Sequence, residues 1–172
     1  MQVGIAPQDG AHFVEVGAWK GKSTAYMAVE IINSGKTIKF DTIDLWSGLG
    51  SAAYIDDKDV QEYSLYETFL KNIEPVKHVV NHIRMHSAEA ASLYPDQSLD
   101  FVLLDAGHDY EDVKADLIAW LPKIKPGGLI AGDDFPDPGV QQAVKEIVPF
   151  YTVMPLIGCW AVQIGSQPPK FN

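Results

Sequence analysis

The chain has 172 residues, 47% hydrophobic and 21% charged, with 13 Lys and Arg against 23 Asp and Glu and a formal net charge of −10. No cluster of Lys or Arg occurs anywhere, so the chain lacks the basic patch that binding along a nucleic-acid backbone calls for. Cys159 is the single cysteine, which rules out an intrachain disulfide, and no apolar stretch approaches the ~18 residues of a membrane span. The length suits one domain over 1–172 with a real hydrophobic core. Residues 1–10 lack the basic start and apolar run of a secretory signal, so a cytoplasmic protein is expected.

Residues 1–11 are polar and read as a loose arm. A strand is predicted over 12–16, where Phe13, Val14 and Val16 form an apolar run. Gly17 and Gly21 follow, and a helix is predicted over 23–33, with Gly35 as its C-cap. A second strand over 39–45 ends at Asp44 and Leu45. Residues 46–59 are irregular and read as a lid loop. A helix over 60–74 places Tyr63, Tyr66, Phe69, Leu70 and Ile73 on one face and stops at Pro75. A third strand over 79–86 leads to a short helix over 87–94, for which Ser87 is the predicted N-cap. The run over 99–105 is continuously apolar, as in a strand buried on both faces of a parallel sheet. A helix over 110–121 turns Val113, Leu117, Ile118 and Leu121 inward. A strand over 129–132, a helix over 139–148, and a hairpin of strands over 151–156 and 160–164 complete the pattern, with a flexible tail over 167–172. This alternation predicts an α/β fold: a doubly wound, Rossmann-like, mostly parallel sheet of seven strands closed by an antiparallel C-terminal hairpin.

The turn from the first strand into the first helix discriminates among nucleotide-binding loops. A phosphate-binding P-loop needs four residues between its glycines, and only three separate Gly17 from Gly21. The dinucleotide fingerprint G-x-G-x-x-G needs a glycine where Trp19 stands. The pattern E-x-G-x-x-x-G does fit Glu15, Gly17 and Gly21. It resembles motif I of the class I S-adenosylmethionine (SAM) methyltransferases, and Gly17-Ala18-Trp19-Lys20-Gly21-Lys22-Ser23 resembles the loop of the catechol O-methyltransferase type. The segments from Leu99 to Glu111 and from Leu121 to Asp134 resemble the metal-dependent O-methyltransferases (methyltransferase family 24) and their macrolide-tailoring relatives. The likeness spans residues 12–148.

Site residues follow from the motifs and the resemblance together. Asp105, Asp133 and Asp134 end consecutive strands; converging carboxylates repel unless a cation neutralises them, and hard oxygens suit Mg²⁺ or a similar divalent ion. His108 occupies the place of a catalytic base in the related families, and histidine is suited to taking a proton from a hydroxyl. The resemblance assigns Gly17, Ala18, Gly21 and Ser23 to the methionyl part of SAM, and Glu15 to the loop or the methionyl amine. It assigns Asp44 and Leu45 to the ribose, Ser87, Ala88 and Glu89 to adenine, and Asp105 to the cofactor as well as the metal. Trp46, Tyr54, Tyr63 and Tyr66 are candidates for an acceptor pocket. His78, His82 and His86 repeat every four residues, but on a strand that spacing gathers no metal face.

These residues imply a SAM-dependent O-methyltransferase acting on a hydroxyl of a small molecule with help from a divalent cation. Two rival readings are a SAM-binding module without catalysis and a dinucleotide-dependent oxidoreductase. Only about a dozen residues precede the first strand, where the catechol-type enzymes carry acceptor-binding helices. Either the loop over 46–59 forms the lid, or the second subunit of a homodimer does, or the chain is a truncated form.

Overall fold

The structure is a computed structural model, and it describes residues 8–48, 55–148, 150–154 and 158–165. The start of the predicted arm, the centre of the predicted lid with Tyr54, and the predicted tail lie outside the described residues. Seven strands form one sheet: β1 (His12–Val16), β2 (Lys39–Asp44), β3 (Asn81–Arg84), β4 (Leu99–Leu104), β5 (Ile124–Gly132), β6 (Thr152–Met154) and β7 (Cys159–Gln163). Their order is β3-β2-β1-β4-β5-β7-β6. The first five strands are mutually parallel, whereas β7 runs antiparallel to both β5 and β6. The strand order therefore reverses between β1 and β4, and the crevice at their carboxyl ends is where such sheets take ligands.

Helices α1 (Lys22–Ser34), α2 (Lys58–Gln61), α3 (Leu65–Ile73), α4 (Ser87–Ala90), α5 (Tyr110–Trp120) and α6 (Pro138–Ile147) complete the chain. The alternation of side chains along the strands divides the core in two. Phe13 and Phe40 pack with Ala28 and Ile31 of α1 and with Leu65, Phe69 and Ile73 of α3. On the opposite face Val14, Val16, Val102 and Leu104 pack with Leu117 and Trp120 of α5 and with Val140 and Val144 of α6. Among the described residues, no helix is long and apolar enough to cross a membrane.

Several predicted elements have different bounds. The helix predicted over 60–74 is two helices, α2 and α3, broken where Tyr63 adopts φ 55° and stands 89% exposed rather than inward. Asp59 accounts for the break, because its Oδ1 accepts the hydroxyls of Ser64 and Thr68 and its carbonyl accepts the amide of Ser64. Residues 74–79 form a 3-10 turn led by Pro75, so β3 begins only at Asn81. In contrast, β5 starts five residues early, at Ile124. It absorbs Pro126 and Gly127 through a register shift opposite Leu99 and Phe101, and a bulge is the place where a sheet tolerates proline. Ile118 faces out at 59% exposure, contrary to the inward reading.

Candidate active site

The loop between β1 and α1 is held from every side. The Gly17 amide donates to the Ile43 carbonyl (2.8 Å), and the Gly21 amide donates to the Ala18 carbonyl (2.7 Å), closing a turn. Both glycines have positive φ, 89° and 82°. A Cβ at Gly17 would lie 1.9 Å from the Asp105 carbonyl oxygen, and one at Gly21 would lie 2.9 Å from Ile73 Cγ2. The glycines are thus demanded first by the packing of β1 against the end of β4 and of the loop against α3. Asp44 Oδ2 accepts the amides of Ala18 (2.8 Å) and Trp19 (2.9 Å), while Oδ1 accepts the amide of Trp46 (2.7 Å). Trp46 Nε1 donates to the Trp19 carbonyl, and Asn72 Nδ2 donates to the Lys20 carbonyl. Lys20 Nζ lies 2.7 Å from Asp57 Oδ2 and 2.7 Å from Asp59 Oδ2, strapping the loop to the start of α2.

Glu15 is 2% exposed and does not open onto the crevice. Its carboxylate accepts the hydroxyls of Thr24 and Thr42 (2.7 Å), and the Ser23 side chain lies beside it. Burial raises its pKa, and the three hydroxyls oppose that rise. These contacts are those of a residue that organises the loop. Ala25 takes the Gly21 carbonyl, which leaves the amides of Lys22, Ser23 and Thr24 without an acceptor inside the helix. Backbone donors at a helix start suit a carboxylate.

The strand ends gather the acidic groups. Asp105 follows β4, and its amide donates to the Val16 carbonyl (2.7 Å). Asp105, His108 and Asp134 each bring one ligand atom to within 4.8 Å of the others. His108 Nε2 is 2.9 Å from Asp134 Oδ2. Ligands at ~2–2.5 Å from one ion lie at about this mutual separation, so two carboxylates and an imidazole fit a divalent cation. Asp133, expected in the cage, is placed differently: its Oδ1 accepts the Asp134 amide (2.9 Å) and the Cys159 thiol (3.2 Å). Asp134 meets this geometry at φ 52°, a left-handed conformation costly for a residue other than glycine. Burial pushes the Asp105 carboxyl up to about 7, helped by the charges of Asp133, Asp134, Glu15 and Asp44. A bound cation would relieve that repulsion. Burial and Asp133 likewise push the Cys159 thiol up to about 12, which leaves it an inert thiol.

The segment assigned to adenine holds an unforeseen contact. The N-cap of α4 is His86, not Ser87. The Ser87 hydroxyl instead donates to Asp116 Oδ1 (2.5 Å) and accepts from Trp120 Nε1 (3.1 Å). Ala88 is half-buried and Glu89 exposed beside it, and Leu45 is exposed beyond Asp44. Among the described residues, the aromatic candidates for an acceptor pocket do not share one crevice, since Tyr63 is exposed and Trp46 buried. Trp46 is buried at 3% exposure against Phe69 and Tyr66, with centroids at 4.5 and 4.9 Å. His82 Nδ1 pairs with the Tyr66 hydroxyl at 3.0 Å, and among the described residues no second metal-ligand group occurs. Thr24, Thr42, Lys20 and Asp116 were missed from sequence. Only Thr24, a β-branched residue opening a helix beside the glycine loop, carried a local hint.

A sheet in this order, with a glycine turn into a helix at its switch point and an acidic cluster beside it, has the architecture of the class I methyltransferase fold. Residues 14–135 match a methyltransferase-domain family, methyltransferase family 24, and the chain belongs to that family. The O-methyltransferase NovP is structurally similar, with a TM-score of 0.68 at 19% identity over 92% of this chain and 73% of that one. The calicheamicin methyltransferase CalS11 gives 0.65 at 17% identity, over 91% and 73%. Cofactor-bound Rv0187 from MTB gives 0.60 at 15%, over 91% and 73%. These likenesses show the fold. An uncharacterized protein of Sinorhizobium fredii, y4gI, is 24% identical over 121 residues, which are 70% of this chain and 13% of that protein's length.

Proposed function

We propose that the chain transfers a methyl group from SAM to a hydroxyl oxygen of a small molecule, with a divalent cation held by Asp105 and Asp134. The observation that carries this reading is the convergence of Asp105, His108 and Asp134 beside the glycine loop. SAM supplies an electrophilic methyl on a sulfonium, and the cation lowers the pKa of a bound hydroxyl. The chain's own part is to position and to move one proton. Asp44 and Trp46 hold the loop in shape before any ligand arrives, and preorganisation of this kind lowers the cost of binding. The amides of Lys22 and Ser23 and the Asp44 carboxylate are the donors and acceptors available to SAM's amino-acid and ribose ends; Asp44 Oδ1 retains a lone pair beside its bond to the Trp46 amide, whereas Oδ2 already accepts the amides of Ala18 and Trp19. His108 donates from Nε2 to Asp134, which leaves the lone pair of the neutral ring on Nδ1. The ring takes the acceptor's proton there, and Asp134 steadies the imidazolium that results.

CalS11, whose fold this chain shares, is a TDP-rhamnose 3'-O-methyltransferase. That activity supports a sugar or comparable small-molecule hydroxyl as the acceptor class. A second subunit would wall the acceptor, since Trp46 is committed to the core. The clustering within 4.8 Å also favours a second reading, in which His108 is a third cation ligand rather than the base. H108A separates the two. As base, the variant keeps Mg²⁺ and SAM affinity while kcat falls ~10²–10⁴-fold. As ligand, it loses Mg²⁺ affinity. The overall test is transfer of labelled methyl from SAM to a panel of sugar and phenol hydroxyls, with Mg²⁺ and with EDTA. Turnover stopped by EDTA supports the proposal. SAM binding with no turnover on any hydroxyl would favour a binding module instead.

A further inference from the structure

Trp160 stands on β7 at 1% exposure, yet its indole N–H has no hydrogen-bond partner among the described residues. It lies opposite Gly132 in the pairing of β7 with β5, and Gly132 lies beside Leu104 in the pairing of β5 with β4. A Cβ at Gly132 would lie 2.5 Å from Trp160 Nε1, so the absence of a side chain there lets the ring edge that carries the N–H lie over β5. Trp160 lines a small cavity there with Val113, Val140, Asp105 and Asp116. Every side-chain nitrogen or oxygen sealed inside the described residues has a partner, so the Trp160 N–H is not sealed and opens onto this cavity. About 10 Å³ is left for the centre of a water, which is room for one molecule. Asp105 supplies the complementary lack. Asp44 accepts three amides, Asp133 accepts the Asp134 amide and Asp134 faces His108, whereas among the described residues no hydrogen bond reaches the Asp105 carboxylate.

We propose that this cavity binds one internal water, which accepts the Trp160 indole N–H and donates to Asp105, and that Trp160 is thereby a positioning residue for the cation site. The inference rests on the cation reading above. A buried water joins polar groups that are otherwise unsatisfied, and here it meets a donor lacking an acceptor and an acceptor lacking a donor. The indole N–H repels a cation and the carboxylates repel an anion, so a neutral water suits both walls. Anchored through one oxygen, the Asp105 carboxylate keeps the other toward His108 and Asp134. Outer partners of this kind orient ligating carboxylates and tune metal affinity.

The test pairs nuclear magnetic resonance with calorimetry on the full chain. The sequence has four tryptophans, so the indole N–H signals of ¹⁵N-labelled protein are few, and W160F assigns the one of interest by its loss. A cross-relaxation peak from a long-lived water is expected at the Trp160 N–H and not at Trp46, whose N–H is bonded to the Trp19 carbonyl. C159A removes the neighbouring exchangeable thiol and is expected to keep the peak. Mg²⁺ titration is expected to show affinity about tenfold weaker in W160F, which keeps an aromatic ring but lacks the N–H. V140I adds one methyl to the cavity wall, leaves Trp160 in place and is expected to lose both the water peak and about the same tenfold in Mg²⁺ affinity, with thermal melts reporting that each variant is folded. A role for Trp160 in packing alone would leave V140I binding Mg²⁺ like the wild type. The proposal is overturned if the wild type shows no water peak at Trp160, if C159A abolishes it, or if W160F or a V140I protein that has lost the peak keeps wild-type Mg²⁺ affinity. Failure of the wild type to bind Mg²⁺ at all would instead sink the cation reading, an outcome distinct from binding that ignores these substitutions.

Discussion

Asp105 carries the largest electrostatic burden at the strand ends, since burial and four neighbouring carboxylates all act in one direction. Its ordinary value is 3.8 and its folded value about 7; Asp116 moves the same way, to about 6. Between these limits the folded chain holds protons that the unfolded chain has released. Stability contributed by the two groups is therefore full below about pH 4 and lost as pH rises through about 6 to 7. Asp41, lowered by His12, Asn81 and Tyr94, works in the opposite sense and only at lower pH. In metal-free buffer the melting temperature is expected to fall between pH 4.5 and 7.5, and Mg²⁺ is expected to restore it at 7.5 but not at 4.5. D105N should flatten the pH dependence and abolish the Mg²⁺ effect. A flat wild-type profile would mean that Asp105 is solvated and no cation is called for. The aspartates at the strand ends were legible in sequence because strand-end position is local. The turning of Asp133 toward Cys159, and the inclusion of His108 with Asp105 and Asp134, were not, because both depend on the left-handed backbone at Asp134.

The loop between β1 and α1 shows what an element requires of its glycines. At Gly17 a Cβ would strike a backbone oxygen at 1.9 Å, and backbone at the end of a central strand cannot yield. G17A is expected to destabilise by ~3 kcal/mol or more, as overpacking adds to the left-handed conformation. Gly127, at φ 84° with nothing within 4 Å of an added Cβ, supplies the contrast. G127A should cost only ~1 kcal/mol, which is the conformational part. Denaturant melts of both variants check the pair, and equal losses would refute the close approach of the loop to β4. Asp44 acts on the same element: D44A removes the acceptor of three backbone amides and is expected to lower both melting temperature and SAM affinity. The glycine spacing and the acidic end of β2 could be read from sequence because they are short-range patterns. The amide bonds to Asp44, the hydroxyls on Glu15 and the Lys20 strap could not, since their partners are brought together only by the sheet order.

At the scale of the whole molecule, the strand order does most of the assembly. Placing β1 beside β4 brings the glycine loop, Asp44 and Asp105 to one crevice from positions far apart in the chain. The alternation of strands and helices was legible because a buried parallel strand and an amphipathic helix have distinct periods. The breaks at Tyr63 and Gly127 were not, since a side chain capturing a helix end and a bulge leave no periodic trace. Asp44, Asp105, Asp133 and Asp134 stand together at the strand ends, while Lys20 of the glycine loop is drawn off by Asp57 and Asp59. That balance suits a positively charged sulfonium donor and a metal ion. The central claim is that this crevice binds SAM, and calorimetric titration with SAM and NADH, each with and without Mg²⁺, tests it most directly. Saturable binding of one SAM per chain and no heat with NADH is the expected result. NADH binding in the absence of SAM binding would contradict the account and return the loop to a dinucleotide site.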